Sequence, residues 1–115
     1  MATLYRVNMQ MADNEDLRQA FALTDQTGAA VDLTGAVLRM DIEPPNGIDA
    51  LEISTANGRI LTADPTLGQF EIQVPASLMR TIPEGVYRHD LILTRTGHAV
   101  RIWDGVLTLS RGVTE

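Results

Sequence analysis

The stretch Pro83–Thr94 constrains the fold more than any other part of the chain. A short turn sequence ending at Gly85 runs directly into an extended segment whose first large side chain is Tyr87. A tyrosine at this point is typical of a tyrosine corner, in which the hydroxyl bonds the backbone a few residues upstream. We expect the acceptor to lie between Arg80 and Pro83. Because tyrosine corners belong to Greek-key β-sandwiches, Tyr87 and Gly85 are assigned structural roles.

Alternation of apolar and polar residues with a period of two runs through most of the chain, which is the signature of half-buried strands. Strands are predicted at about 17–23, 38–43, 50–54, 59–62, 69–74, 86–95 and 99–110. One short helical turn is predicted at 75–82, where it would carry the chain from one sheet to the other. Seven or eight short strands separated by turns predict an all-β, immunoglobulin-like antiparallel β-sandwich, with a small β-barrel as the alternative.

Two glycine turns and one irregular strand refine this scheme. Asn57-Gly58 and Thr96-Gly97 each predict a tight hairpin. In the last strand, Val100 and Ile102 fall on the face opposite to Leu107 and Leu109. A β-bulge at Gly105 would restore a common face and turn Trp103 outward, toward an interface. The alternative is a regular strand that places Trp103 in the core.

Composition excludes several classes of protein. The 115 residues are enough for one domain that buries about two-thirds of its unfolded surface. The absence of cysteine excludes disulfides, zinc–thiolate sites and cysteine nucleophiles. A net charge of -6 argues against nucleic-acid binding, which depends on clustered Lys and Arg. With neither a signal peptide nor a membrane-length apolar run, we expect a soluble protein made in a cytoplasm.

Catalytic and metal-binding patterns are weak. His89 and Asp90 are adjacent on a strand, so their side chains point to opposite faces and cannot act on one substrate. His89 and His98 approach each other across a hairpin, but two histidines without a third ligand are weak evidence for zinc. The acidic run 13–16 lacks the spacing of a calcium loop. We therefore expect no enzyme activity, no metal and no cofactor.

Residues 1–16 are less regular and are predicted to form an N-terminal arm or an edge strand, with the β-sandwich domain at 17–115. Met9, Met11 and the acidic run favour an exposed, adaptable segment. The predicted candidate interface residues are Tyr5, Met9, Met11, Arg101 and Trp103.

Three motifs in this order resemble a family of tailed-phage structural proteins. Asp32-Leu33-Thr34-Gly35-Ala36 leads into a strand, Gly85-Val86-Tyr87-Arg88-His89-Asp90-Leu91 opens a strand, and Arg101–Leu107 precedes a terminal Gly112-Val113-Thr114. Together they are similar to the immunoglobulin-like N-terminal domain of baseplate upper and tail-fibre-region proteins, over roughly residues 17–114.

The resemblance implies a virion component of a phage or prophage, made in the cytoplasm of the host bacterium. It would act without catalysis, as an assembly, baseplate, tail-connector or decoration module. Its expected partners are other virion proteins and further copies of itself, with neither nucleic acid nor membrane. The larger members of that family continue beyond this domain into receptor-binding modules. Since this chain stops at Glu115, we expect that it lacks a receptor-binding part. The alternatives are a capsid cement protein and a small carbohydrate-binding sandwich that would use Tyr5, His98 and Trp103.

Overall fold

The computed structural model describes residues 5–25, 27–44 and 51–112, and these form two packed β-sheets. The strands within these ranges are β1 (Tyr5–Arg6), β2 (Met9–Ala12), β3 (Leu17–Ala22), β4 (Val37–Glu43), β5 (Leu51–Ser54), β6 (Ile60–Asp64), β7 (Gln69–Val74), β8 (Gly85–Arg95) and β9 (His98–Ser110). A 3-10 turn at Pro65–Leu67 precedes β7, and a single helix, α1 (Ala76–Met79), follows it. No helix in the described part of the chain is long and apolar enough to cross a membrane.

The larger sheet has the order β1-β9-β8-β4-β5, with β2 also paired to β9, and the smaller sheet has the order β3-β7-β6. Apart from β1 and β2, this is the strand order of an immunoglobulin fold that carries one extra strand beside its third. The predicted all-β sandwich is therefore confirmed. It departs from a purely antiparallel arrangement because β1 and β2 both run parallel to β9.

The core lies between the two sheets and follows the alternation of the sequence. On β4 the inward side chains of Leu38, Met40 and Ile42 are fully buried, and β7 contributes Phe70 and Ile72 in the same way. The intervening polar residues of both strands point outward, as predicted.

Trp103 belongs to the core, so the prediction that it faces an interface is wrong. Its side chain is 2 % exposed and its ring lies 4.6 Å from that of Phe21 and 6.0 Å from that of Phe70. The register shifts at Ile102, because Leu91 pairs with Trp103 whereas Ile92 pairs with Arg101.

The bulge therefore lies three residues before Gly105, and the prediction that Gly105 forms it is wrong. Gly105 pairs in regular register with His89. A Cβ atom at Gly105 would lie 1.8 Å from the carbonyl oxygen of Val7, on the N-terminal strand. Gly105 thus gives the N-terminal strand room to approach β9. This structural role differs from the predicted one, which was to form a β-bulge.

The N-terminal strand is interrupted between β1 and β2, and a side chain completes the pairing there. The Val7 N–H donates to the Asp104 carbonyl at 2.9 Å. At the next residue of the N-terminal strand, the side-chain oxygen of Asn8 accepts the Val106 N–H at 3.1 Å. The Val7 carbonyl occupies the space above Gly105.

Residues 9–16 are fastened to the sandwich, contrary to the expectation of an exposed, adaptable segment. Met9 is 5 % exposed, because it is paired with Leu107 and its side chain packs in the core. The Asp13 carboxylate is also buried and accepts the Gly112 N–H at 2.7 Å. Asp16 accepts the Ala76 N–H at the start of α1 at 2.8 Å.

The crossing from the smaller to the larger sheet carries the tyrosine corner. Helix α1 leads from β7 to β8 and buries Met79 completely. The Tyr87 hydroxyl then donates to the Pro83 carbonyl at 2.5 Å, within the expected range of acceptors. Gly85, at the start of β8, has φ 151°, which a residue with a side chain rarely adopts.

Of the two hairpins predicted at glycine turns, one forms and the other does not. Thr96 and Gly97 join β8 to β9 as a hairpin, as predicted. The predicted hairpin at Asn57 is wrong, because β5 pairs with β4 and β6 pairs with β7. The Asn57 side chain accepts the Ser54 N–H at 3.0 Å and donates to the Glu52 carbonyl at 3.0 Å, so it forms a corner between the sheets.

We predict that Tyr87→Phe lowers the free energy of unfolding by about 1–3 kcal/mol, because the Pro83 carbonyl loses a part-buried donor. Urea unfolding followed by fluorescence measures this change. The matched control is Thr66→Val, which removes an exposed hydroxyl that bonds Asp64 and should leave stability nearly unchanged. Equal effects of the two substitutions would contradict a stabilising corner.

We predict that Gly105→Ala costs about 1–3 kcal/mol, the range for overpacking, because the added Cβ displaces the Val7 carbonyl. Amide hydrogen exchange locates the damage. Exchange should accelerate more at Val7, which loses its bond to Asp104, than in β7, where it changes only through the loss of global stability. Uniform acceleration along the whole chain would show instead that the substitution acts on global stability alone.

Candidate interaction face

The outward side of the larger sheet carries ordered rows of charge. Asp41 pairs with Asp90 across β4 and β8, and Asp90 pairs with Asp104 across β8 and β9. These three aspartates form an acidic row that crosses three strands, and Arg6 of β1 stands at its end, paired with Asp104.

A basic row lies beside the acidic row, at the next outward position along the same strands. It consists of Arg39 on β4, Ile92 on β8 and Arg101 on β9, joined by the same register. The acidic row and the basic row together are called the charged face below. Neighbouring strands lie about 4.8 Å apart, so successive side chains of one row are close neighbours.

Ion pairs offset part of the negative charge at the edges of the face. Arg39 lies 3.2 Å from Asp41 and 3.2 Å from Glu52 of β5, and Arg6 lies 3.8 Å from Asp104. All these arginine side chains are more than half exposed. Exposed pairs of this kind contribute about 0–1 kcal/mol each, so they position the charges more than they stabilise the fold.

The middle of the acidic row is electrostatically unfavourable. Like charges directly opposite each other on neighbouring strands destabilise a sheet. Asp90 has Asp41 on one side and Asp104 on the other, and it takes part in none of the ion pairs formed by the described residues. Places where a sequence breaks a local rule without structural gain are expected at functional sites. The acidic row is therefore a candidate site of interaction.

A shallow groove of about 270 Å³ follows the acidic row and the next row on its far side, and it reaches the basic row at Arg101. Most of its walls are charged side chains, with the following residues at its walls: Arg6, Asp41, Glu43, Arg88, His89, Asp90, Arg101, Asp104, Gly105 and Val106. Arg88 lies 3.9 Å from Glu43 at one wall. A groove with both signs of charge and few apolar walls is suited to another charged surface rather than to an apolar ligand.

Among the described residues, no three His, Cys, Asp or Glu side chains converge so that they could hold a metal ion. His89 borders the groove from beneath, but its ring lies edge-on to the buried Trp103 at 6.5 Å.

His89 is a core histidine. Its side chain is 4 % exposed, and neither ring nitrogen has a hydrogen-bond partner of normal geometry in the described part of the chain. Burial lowers the pKa of the imidazole below its ordinary value, because the charged form loses its hydration. The nearby backbone of Val106 and Val7 and the carboxylates of Asp90 and Asp104 oppose this lowering.

The residues predicted as interface do not form one surface. Arg101 is exposed and belongs to the charged face. Met11 is half-buried against the core. Met9 and Trp103 are buried, so the prediction that they lie at an interface is wrong. The prediction for Tyr5 concerns its side chain, which lies outside the described part of the structure; only the backbone of Tyr5, in β1, is described.

Sequence reasoning missed the aspartates of the charged face. Alternation already placed Asp41 outward on its strand and Asp90 on the side opposite to His89. The missing information was the strand order, because the row appears only once β4, β8 and β9 lie side by side. A search for outward carboxylates in consecutive strands of one predicted sheet would have found them.

Comparisons with known proteins give the fold alone. No family model and no curated protein matches the chain. Among solved structures it is similar to the endo-β-1,4-mannanase from Thermotoga petrophila, with a TM-score of 0.54 and 12 % sequence identity. The similarity covers 91 % of this chain and 18 % of the mannanase chain. The matched region is therefore a small part of that enzyme.

We predict that the fold loses stability as the pH falls below about 6.5, the ordinary pKa of histidine. The folded pKa of His89 is lowered, so the unfolded state binds the proton first and the loss begins there. The slope is at most about 1.4 kcal/mol per pH unit, the limit for one proton, and it ends where the folded state is protonated too. Urea unfolding at a series of pH values between about 7.5 and about 5 measures how the free energy of unfolding depends on pH.

The two histidines of the chain provide a matched pair of variants. His89→Phe should remove this part of the pH dependence, because Phe fills a similar volume and does not titrate. His98→Gln, at an exposed position in the hairpin, should keep it. A slope that survives in His89→Phe would assign the pH dependence to other groups.

Proposed function

We propose that this chain is a non-enzymatic structural component of a tailed-phage virion, made in the host bacterium and built into the particle through protein–protein contacts. It acts as an assembly module of the baseplate or tail connector, with capsid decoration as the alternative position. Its partners are other virion proteins and further copies of itself.

The phage assignment depends on the three sequence motifs and their order. In the structure, the segment 32–36 leads into β4, the segment around Tyr87 opens β8, and Arg101–Leu107 lies within β9. The sandwich supplies a rigid frame on which these segments are arranged. These placements support the proposal, whereas the similarity to the mannanase concerns the fold alone.

The observation that carries the proposed mode of action is the charged face. Asp90 lies between two further aspartates and takes part in none of the ion pairs of the described residues, and like charges placed opposite each other cost stability in the isolated chain. Arginine and aspartate side chains on a broad sheet face give electrostatic complementarity, which selects partners and fixes register. A contact surface for another protein accounts for both features.

The carbohydrate-binding alternative has less support. Binding of a sugar by a sandwich of this kind would use exposed aromatic rings beside polar groups. Trp103, the largest of its three candidate residues, is 2 % exposed and packs against Phe21 and Phe70. It is therefore not available to stack on a sugar.

We predict that purified particles of the phage or prophage that encodes this chain contain it in a fixed copy number, measurable by quantitative mass spectrometry. Asp90→Arg should reduce its incorporation at least about tenfold, because it inverts the centre of the acidic row. Arg18→Asp, on β3 of the other sheet, reverses a charge away from the charged face and should incorporate normally.

Two results would overturn the proposal. The first is absence of the chain from purified particles. The second is normal incorporation of the Asp90 variant, which would remove the charged face from the contact.

A further inference from the structure

We infer that the charged face binds a second copy of this chain, face to face, about a two-fold axis that runs across the strands between the acidic row and the basic row. This inference rests on the proposed function only for the choice of this face as the contact surface. It names the partner that the face fits.

The order of the rows makes the face self-complementary. A two-fold axis between the rows exchanges them, so the basic row of one copy lies over the acidic row of its partner. Arg39 of one copy then faces Asp41 of the other, and Arg101 faces Asp104. Each contact occurs twice, because a two-fold interface is reciprocal, and the dimer has four arginine–aspartate contacts.

The central strand completes the match. Asp90 of one copy lies over Ile92 of its partner, whose neighbours in the basic row are Arg39 and Arg101. The carboxylate without an ion pair in the single chain thus lies between two guanidinium groups in the dimer. This arrangement accounts for an aspartate at the position where it is least favourable in isolation.

Other two-fold axes do not fit. An axis along β8 would place Asp90 over Asp90 and Asp41 over Asp104, so that like charges meet. An axis between the acidic row and the next outward row would place Asp90 over Arg88 but Asp41 over Glu43, so its opposite-charge contacts are offset by an equal number of like-charge contacts. Like charges brought together at an interface are strongly unfavourable, so charge selects the first axis.

The geometry of sheet packing permits this arrangement. The axis makes the strands of the two copies antiparallel, and facing sheets pack with their strands within about 30° of each other. At one strand spacing from the centre, a 30° rotation displaces a row by about 3 Å. Arginine side chains are long and flexible enough to take up this displacement.

The area available predicts a weak dimer. The distance from β5 to β1 is four strand spacings, or about 19 Å, and Val86 to Thr94 spans about 26 Å of β8. The face thus buries about 500 Å² per copy, or about 1,000 Å² in total, which is at the lower limit for a specific interface.

Two opposite charge reversals give a sharp test by sedimentation velocity. Arg101→Asp gives a copy with carboxylates at both 101 and 104, and Asp104→Arg gives a copy with guanidinium groups at both. Each variant alone should dimerise at least about tenfold more weakly than the wild type, because like charges meet. An equimolar mixture of the two should form a heterodimer, since every contact is then between opposite charges.

The controls separate charge matching from folding and from net charge. Arg18→Asp changes the net charge by the same amount as Arg101→Asp and should dimerise as the wild type does. Far-ultraviolet circular dichroism checks that both variants fold. If Arg101→Asp does not fold, the same experiment is made with Arg39→Asp and Asp41→Arg, which exchange the same charges on β4. Raised salt should weaken the wild-type dimer.

The outcomes distinguish this inference from the proposed function. A wild-type chain that stays monomeric at millimolar concentration overturns the second-copy inference, as does a mixture that fails to associate. If Asp90→Arg is nevertheless excluded from particles, the face binds a different virion protein and the proposed function stands. If the mixture associates but the chain is absent from particles, the proposed function fails and the inference stands.

Discussion

The contact of Trp103 with Phe21 and Phe70 is the interaction on which the rest of the structure depends. The chain has no cysteine, so no disulfide joins the two sheets and their packing is the main contact between them. Trp103 comes from the larger sheet and both phenylalanines come from the smaller one, with ring centres 4.6 and 6.0 Å from the indole. Aromatic pairs of this kind add about 0.5–1.5 kcal/mol beyond the burial of their surface. Because the indole must point inward, it determines which side of β9 belongs to the core.

That choice also determines the charged face. Arg101 and Asp104 are three residues apart, and in a regular strand their side chains would point to opposite sides. The bulge at Ile102 adds one residue, so both side chains point outward while Trp103 stays inward. A β-bulge often redirects side chains next to functional surfaces. The same irregularity therefore serves the core and the face, and moving it by one residue would disrupt both.

The sequence was sufficient for the strands and the corner because both depend on short-range signals. Alternation in β4 and β7 and the turn before Tyr87 are local patterns, and the structure follows them. The position of the bulge was not predictable in this way, because apolar Val100 and Ile102 fit either face. The turn at Asn57 resembled a hairpin, but its side-chain bonds instead form a corner between sheets. The acidic row required the order of β4, β8 and β9, which is a long-range property.

A face of exposed charges is a reasonable contact surface only where contacts are repeated. Each exposed arginine–aspartate pair is worth about 0–1 kcal/mol, and salt screens it. One such contact would give the weak dimer inferred above, which dissociates readily and so allows errors of assembly to be corrected. In a particle with many ordered copies, neighbouring contacts raise the effective concentration of each other, so that avidity exceeds the affinity of any single pair. On the proposed arrangement, the stability that the acidic row costs each chain is recovered when the charged faces meet, because every Asp90 then gains guanidinium neighbours.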